Sequence, residues 1–222
     1  MTTQILLNRY DMLKQLTPIS TWSQVDVILT ASQGAPFANL RDMIAWARAN
    51  PGKLNYGSTG TGTLEHLLVA NLAKRYGFNA THVPFKGGPD GMATLAGGDI
   101  QLFAAVIPLV NQFKTRVRPM AVMSERRTPS FPDVPTLKEA GIDVAPFQFW
   151  NGLHAAAGTP PAVIDALQRA IGQALKAETA QTKYAGIGMI PSGSTAAQFA
   201  SVVNDDFRWL AEAIKDADVK LS

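Results

Sequence analysis

The chain has 222 residues, enough for one large domain or two small ones, and its 46% hydrophobic and 17% charged residues exclude a disordered chain. The net charge is only +3, and apart from Lys114 to Arg118 and Arg126-Arg127 the basic residues are dispersed; neither group alternates with aromatics, so no nucleic-acid partner is expected. The absence of cysteine removes disulfides, thiolate metal sites and cysteine nucleophiles.

No apolar run is long enough to span a membrane. Met1 to Tyr10 lack the basic start, apolar core and small-residue cleavage site of an export signal. Residues 1–22 are weakly patterned, and Val25 to Thr30 reads as a strand. Asn39 caps a helix with Leu40, Ile44 and Ala47 at helical spacing, which Asn50-Pro51-Gly52 stops. A strand over 53–57 leads into Gly57-Ser58-Thr59-Gly60-Thr61-Gly62-Thr63, and a helix follows with Leu64, Leu67, Leu68 and Leu72 on one face. Thr81 to Phe85 is a further strand, Gly87 to Asp90 turns into a helix over 89–97, and Ile100 to Ala105 and Val117 to Met123 are strands. Strands alternating with helices of this length predict a parallel or mixed sheet with helices on both faces.

The texture changes after Met123. Ser130 to Pro135 is rich in turn residues and reads as a crossing segment. Phe147 to Ala156 is strand-like. Thr159-Pro160-Pro161 opens a helix with Val163, Leu167, Ala170, Ile171 and Ala174 on its apolar side. A shorter helix covers 178–186. The capping box Thr195-Ala196-Ala197-Gln198 starts a long helix with Phe199, Val202, Val203, Leu210 and Ile214 facing inward. This tail has apolar helix faces but one candidate strand, so its helices need a sheet to cover.

The loop at 57–63 is the most informative segment. Glycines let the backbone approach a ligand, and a helix start offers unpaired N–H groups, a natural seat for an anion. Ser58, Thr59, Thr61 and Thr63 add hydroxyl donors, and the amides of Thr61, Gly62 and Thr63 are expected to face a ligand oxygen. The competing reading is a tight strand-to-helix turn capped by threonines. Nucleotide phosphate fits poorly: Gly62-Thr63-Leu64 lacks the lysine of a P-loop, and Glu65 stands at the third glycine position of a dinucleotide loop.

No catalytic or metal set emerges. His66 has no second histidine one turn away, and His82 and His154 are scattered and read as structural. Ser58 and Ser124 lack the base and acid that would activate a nucleophile. Lys86, at the end of a strand, reads as a cleft residue or as a solvated lysine. Phe147, Phe149 and Trp150 read as core, with an aromatic cleft wall as the alternative.

Several motifs together resemble the Bug/TctC family, the extracytoplasmic solute receptors of tripartite tricarboxylate transporters. They are Asn50 to Tyr56, the Gly/Thr loop with His66, His82 to Gly87, Phe131 to Thr136 with Glu139-Ala140-Gly141, and Ala157 to Pro160. They keep family order from residue 15 or so to the end. The resemblance implies an α/β, periplasmic-binding-protein-like (type II) fold, with one complete α/β lobe plus the C-terminal part of a second. Residues 1–24 would be a partial first-lobe or crossing segment. Residues 25–122 would be the second lobe carrying the loop, and 123–222 the crossover and first-lobe helices. It implies a non-catalytic, periplasmic receptor without cofactor, closing two lobes on a di- or tricarboxylate for membrane subunits. The family's signal peptide and most of its first lobe, with a Pro-Pro-Gly-Gly type loop, precede the matching region, so a shortened member is expected. Its exposed first-lobe face is expected to self-associate. The ligand residues implied are Ser58, Thr59, Gly60, Thr61, Gly62, Thr63, Lys86, Ala105 and Trp150. Ala105 stands where members often carry an acid, which favours a ligand without an amine. The alternatives are a degenerate paralogue with little or no binding, or a small-molecule-sensing module.

Overall fold

The computed structural model describes residues 11–144 and 148–217. The chain divides into two compact units, Asp26–Gln148 with Ala213–Ser222, and Met1–Val25 with Phe149–Glu212.

The larger unit is a five-stranded mixed sheet flanked by helices. Its elements are β2 (Val27–Ser32), α2 (Leu40–Ala49), β3 (Leu54–Ser58), α3 (Leu64–Tyr76), β4 (Ala80–Pro84), α4 (Gly88–Gly97), β5 (Leu102–Val106), α5 (Ile107–Phe113) and β6 (Val117–Val122). The strand order is β4-β3-β5-β2-β6. β3 runs parallel to β4 and β5, and β2 runs antiparallel to β5 and β6. β2 is buried at every position, as expected of a strand covered on both faces. Asn39 caps α2 through its side chain, accepting from the Asp42 amide at 3.0 Å, and Leu40, Met43, Ile44 and Ala47 fill the buried stripe.

Close packing fixes two glycines. A Cβ on Gly91 of α4 would lie 2.1 Å from the Phe103 ring, and one on Gly57 would meet Phe103, Ile100 and Phe85 at 2.7–2.8 Å. The short α5 has no counterpart in the sequence reading. Beyond β6, the Val122 amide donates to Pro135 O at 2.8 Å and the Leu137 amide to Val122 O at 3.1 Å.

The second unit contains α1 (Met12–Gln15), β1 (Leu16–Val25), β7 (Phe149–Ala156), α6 (Pro161–Lys176), α7 (Glu178–Gly186), β8 (Ile190–Pro191) and most of α8 (Ala196–Ala217). Its sheet has the order β7-β1-β8, with β1 antiparallel to both neighbours. The weakly patterned start of the chain therefore supplies the central strand of the sheet that the tail helices needed. It follows that the strand expected over Val25 to Thr30 divides at Asp26, whose carboxylate accepts from the Gln148 side chain at 2.5 Å.

β1 eluded the hydrophobic pattern because its buried positions include Ser20, Thr21 and Ser23, at 1%, 4% and 0% exposure. Burial costs these groups little because they are bonded. The Ser20 hydroxyl donates to Ser194 O at 2.9 Å, the Thr21 hydroxyl to Ser192 O at 2.7 Å, and Ser23 Oγ accepts from Asn151 Nδ2 at 2.9 Å. The capping box forms as read: the Thr195 amide donates to Gln198 Oε1 at 2.9 Å, and the Gln198 amide to Thr195 Oγ1 at 3.1 Å. Phe199, Val203, Leu210 and Ile214 are buried, but Val202 is 37% exposed. On α6 the apolar side remains largely open: Val163, Leu167, Ala170 and Ala174 are exposed, while Ile164 and Leu175 are buried. Phe147 lies outside the described residues. Among the described residues, no helix is long and apolar enough to cross a membrane.

Candidate functional site

In the larger unit the C-terminal ends of the parallel strands β3, β4 and β5 meet at one sheet edge, the usual ligand edge of an open α/β sheet. The Gly/Thr loop lies there, between Ser58 at the end of β3 and Leu64 at the start of α3. Gly60 and Gly62 have φ of +140° and +80°, backbone that side chains with a Cβ rarely adopt. The Phe85 amide donates to Ser58 O at 2.9 Å, prolonging the β3–β4 ladder and setting the exposed Lys86 beside the loop.

The loop spends many of its own donors. Ser58 is fully buried; its hydroxyl reaches Gly60 O at 2.8 Å and His82 Nε2 at 2.7 Å, and its oxygen accepts the Gly60 amide at 3.1 Å. Thr63 does not cap α3 with its side chain; its hydroxyl and amide both donate to Gly60 O, at 2.9 and 3.3 Å. The Gly62 amide donates to His66 Nδ1 at 2.9 Å. Of the three amides expected to face a ligand, then, only that of Thr61 lacks a partner among the described residues. The amides of Leu64, Glu65 and His66, in the first turn of α3, join it. The Thr61 side chain is exposed, and the Thr59 hydroxyl makes only long contacts, 3.4 Å, to both Glu65 oxygens.

Two further expected residues are placed as follows. Ala105 is on β5 at 3% exposure, packed with Ile28, Met92 and Phe103 in the core. Trp150 belongs to the other unit. It donates from Nε1 to Asp206 Oδ2 at 2.5 Å, and its ring meets Phe199 edge-on at 4.8 Å. Burial raises the Asp206 pKa against the lowering effect of the Trp150 bond.

Three residues gained roles that their spacing did not announce. His66 and His82 stack face to face, with centroids 3.7 Å apart and planes 3° apart, although 16 positions separate them in the sequence. The β3–β4 pairing, which sets Tyr56 opposite His82, brings them together. Burial, and secondarily His82, pushes the His66 pKa down to about 4, and burial also lowers His82. Both rings are neutral at pH 7. Glu65 puts a carboxylate at 7% exposure in the same first turn. Electrostatically the edge therefore combines a helix start that favours an anion, one exposed lysine and one resident carboxylate.

The chain is 35% identical over 197 residues to a UPF0065 protein from the gbd 5′ region of Cupriavidus necator, covering 86% of this chain and 58% of that one. It superposes on the solved structure of R. palustris Rpa4515 with adipate at a TM-score of 0.86 and 26% identity, over 95% of this chain and 71% of the other. It superposes on the structure of a periplasmic transporter at 0.89 and 28%, over 100% and 75%. The chain thus spans 58% of the length of the Cupriavidus relative. The model of the tripartite tricarboxylate transporter family receptor matches residues 4–219, and the chain belongs to that family.

Proposed function

We propose that the chain captures a small di- or tricarboxylate in the periplasm for the membrane subunits of a tripartite transporter. Ser58 to Thr63 form the seat and Lys86 supplies the nearby positive charge. The observation that carries this reading is the group of unspent amides, Thr61, Leu64, Glu65 and His66, at the start of α3 on the C-terminal edge of the sheet. The adipate-bound relative at 26% identity adds support for the ligand class.

Division of labour within the loop follows from its bonding. Ser58, Gly60, Gly62 and Thr63 hold its shape, whereas the Thr61 amide and hydroxyl and the first-turn amides reach the ligand. Charge-assisted bonds of this kind are worth roughly 1.5–3 kcal/mol each. Glu65 repels a ligand carboxylate in the same turn, so Glu65→Gln should tighten binding. The open apolar side of α6 supports self-association through that face.

The test is a thermal-shift and calorimetric screen of C4–C6 di- and tricarboxylates at pH 7. Adipate or a close relative should raise the melting temperature, and Lys86→Met should weaken binding about tenfold, the loss of one charge-assisted contact. A flat response to every acid would instead favour the degenerate, non-binding paralogue.

A further inference from the structure

The two stacked imidazoles are not needed to touch a ligand, yet each holds one end of the loop. His66, 8% exposed on the first turn of α3, accepts the Gly62 amide at Nδ1 over 2.9 Å, where Gly62 has a φ of +80°. His82, on β4, lies 2.7 Å from the Ser58 oxygen, which in turn accepts the Gly60 amide at 3.1 Å. The rings themselves are parallel and 3.7 Å apart.

We propose that His66 is the positioning residue of the loop and that, stacked on His82, it makes the loop proton-sensitive: the outward amides are arrayed while both rings are neutral and lose their order when His66 gains a proton on Nδ1. The functional consequence rests on the reading of this loop as an anion seat; the clasp itself does not.

The chemistry is short. A neutral imidazole accepts at Nδ1 only with its proton on Nε2. A proton on Nδ1 turns that acceptor into a donor facing the Gly62 donor, so the bond is lost and a buried amide is left unpaired. One hydroxyl proton cannot serve both Gly60 O and His82 Nε2. With that proton on Gly60 O, His82 donates from Nε2 to the Ser58 oxygen.

No neighbouring group offsets a positive charge here strongly enough to restore an ordinary pKa. β3 contributes Tyr56, with its ring centroid 6.0 Å from His66 and 5.2 Å from His82; burial keeps its phenol protonated. β4 contributes His82 itself, and β5 (Leu102–Val106) no titratable side chain. α3 contributes Glu65, engaged with Thr59, and at its far end Lys74 and Arg75. Burial and the stacked His82 accordingly hold His66 at about 4.

The experiment is nitrogen-15 NMR of the ligand-free chain. At pH 7 the His66 ring should be the Nε2–H tautomer, and the Gly62 amide should be protected from exchange. On acidification the Gly62 cross-peak should move with the same midpoint as the His66 ring. His66→Asn, which keeps an acceptor without a titrating ring, should retain the protection and abolish the pH response. His66→Phe should lose the protection and weaken adipate binding at pH 7 at least tenfold. An Nδ1–H tautomer at pH 7, or a Gly62 peak that stays still while His66 titrates, overturns the clasp. If Gly62 follows His66 but no carboxylate binds the wild-type chain, the clasp stands and the seat falls. If adipate binds and His66→Phe binds it equally well, the seat stands and the positioning role falls.

Discussion

The two units solve the burial problem differently. In the larger one, apolar side chains close both faces of a five-stranded sheet, and polar groups gather at one edge of it. In the smaller one the central strand buries three hydroxyl residues, while an apolar helix stripe lies open to solvent. A core that is apolar throughout derives stability from area removed from water. A core threaded with hydroxyls derives specificity from bonds that must all be made, because each unmade one costs more than each made one contributes.

Truncation inside the larger core should cost most. Leu29→Ala, at the fully buried middle of β2, should lower stability by about 3–4 kcal/mol in urea titration. A loss below 1 kcal/mol would mean that this sheet is less tightly filled than its neighbours suggest. Acidification should come next. The His66 pKa is lower in the folded chain than its ordinary 6.5, so the unfolded chain binds the proton first. Its contribution is intact above pH 6.5, declines as the pH falls toward 4, and amounts to a loss on the order of 3 kcal/mol at the foot of that window. Denaturant midpoints of wild type and His66→Asn between pH 7 and 4.5 would diverge if this is right and run parallel if it is not.

Smaller effects sharpen the contrast from the other side. Ser20→Ala should cost about 1–2 kcal/mol, since it strips the Ser194 amide of its acceptor at 3.0 Å. Thr195→Ala should cost about 1 kcal/mol through loss of the capping box. Leu167→Glu, on the open stripe at 38% exposure, should change monomer stability by under about 0.5 kcal/mol. It should also reduce any concentration-dependent association seen by light scattering. Strong destabilisation by this last change would show that the stripe is not an open surface, and the comparison between the units would fail.

What could be read from the sequence follows the same divide. The larger unit was legible because its helices and strands have clean periods, its loop glycines stand between a strand and a helix, and Asn39 announces its cap. β1 was not, because pattern reading counts apolar side chains, and Ser20, Thr21 and Ser23 are buried by virtue of partners more than a hundred residues away. α5 escaped because seven residues with a proline in the first turn leave too little period to detect. Within the site, the loop's place was legible but its bonding was not. Which amide is spent depends on whether a histidine one turn later points back, and His82 looked scattered because only a parallel strand pairing sets it opposite Tyr56, where His66 stacks on it.

The bonds between Ser20, Thr21 and residues 192–194 have a consequence for the order in which the chain takes shape. They join positions some 170 residues apart, so β1 leaves the ribosome long before its partners exist. The segment from β2 through β6 is continuous and finds its sheet neighbours within itself. Contacts of such long separation close late. Pulse-labelled refolding should therefore protect the amides of β2 before those of β1, whose partners lie at the far end of the chain.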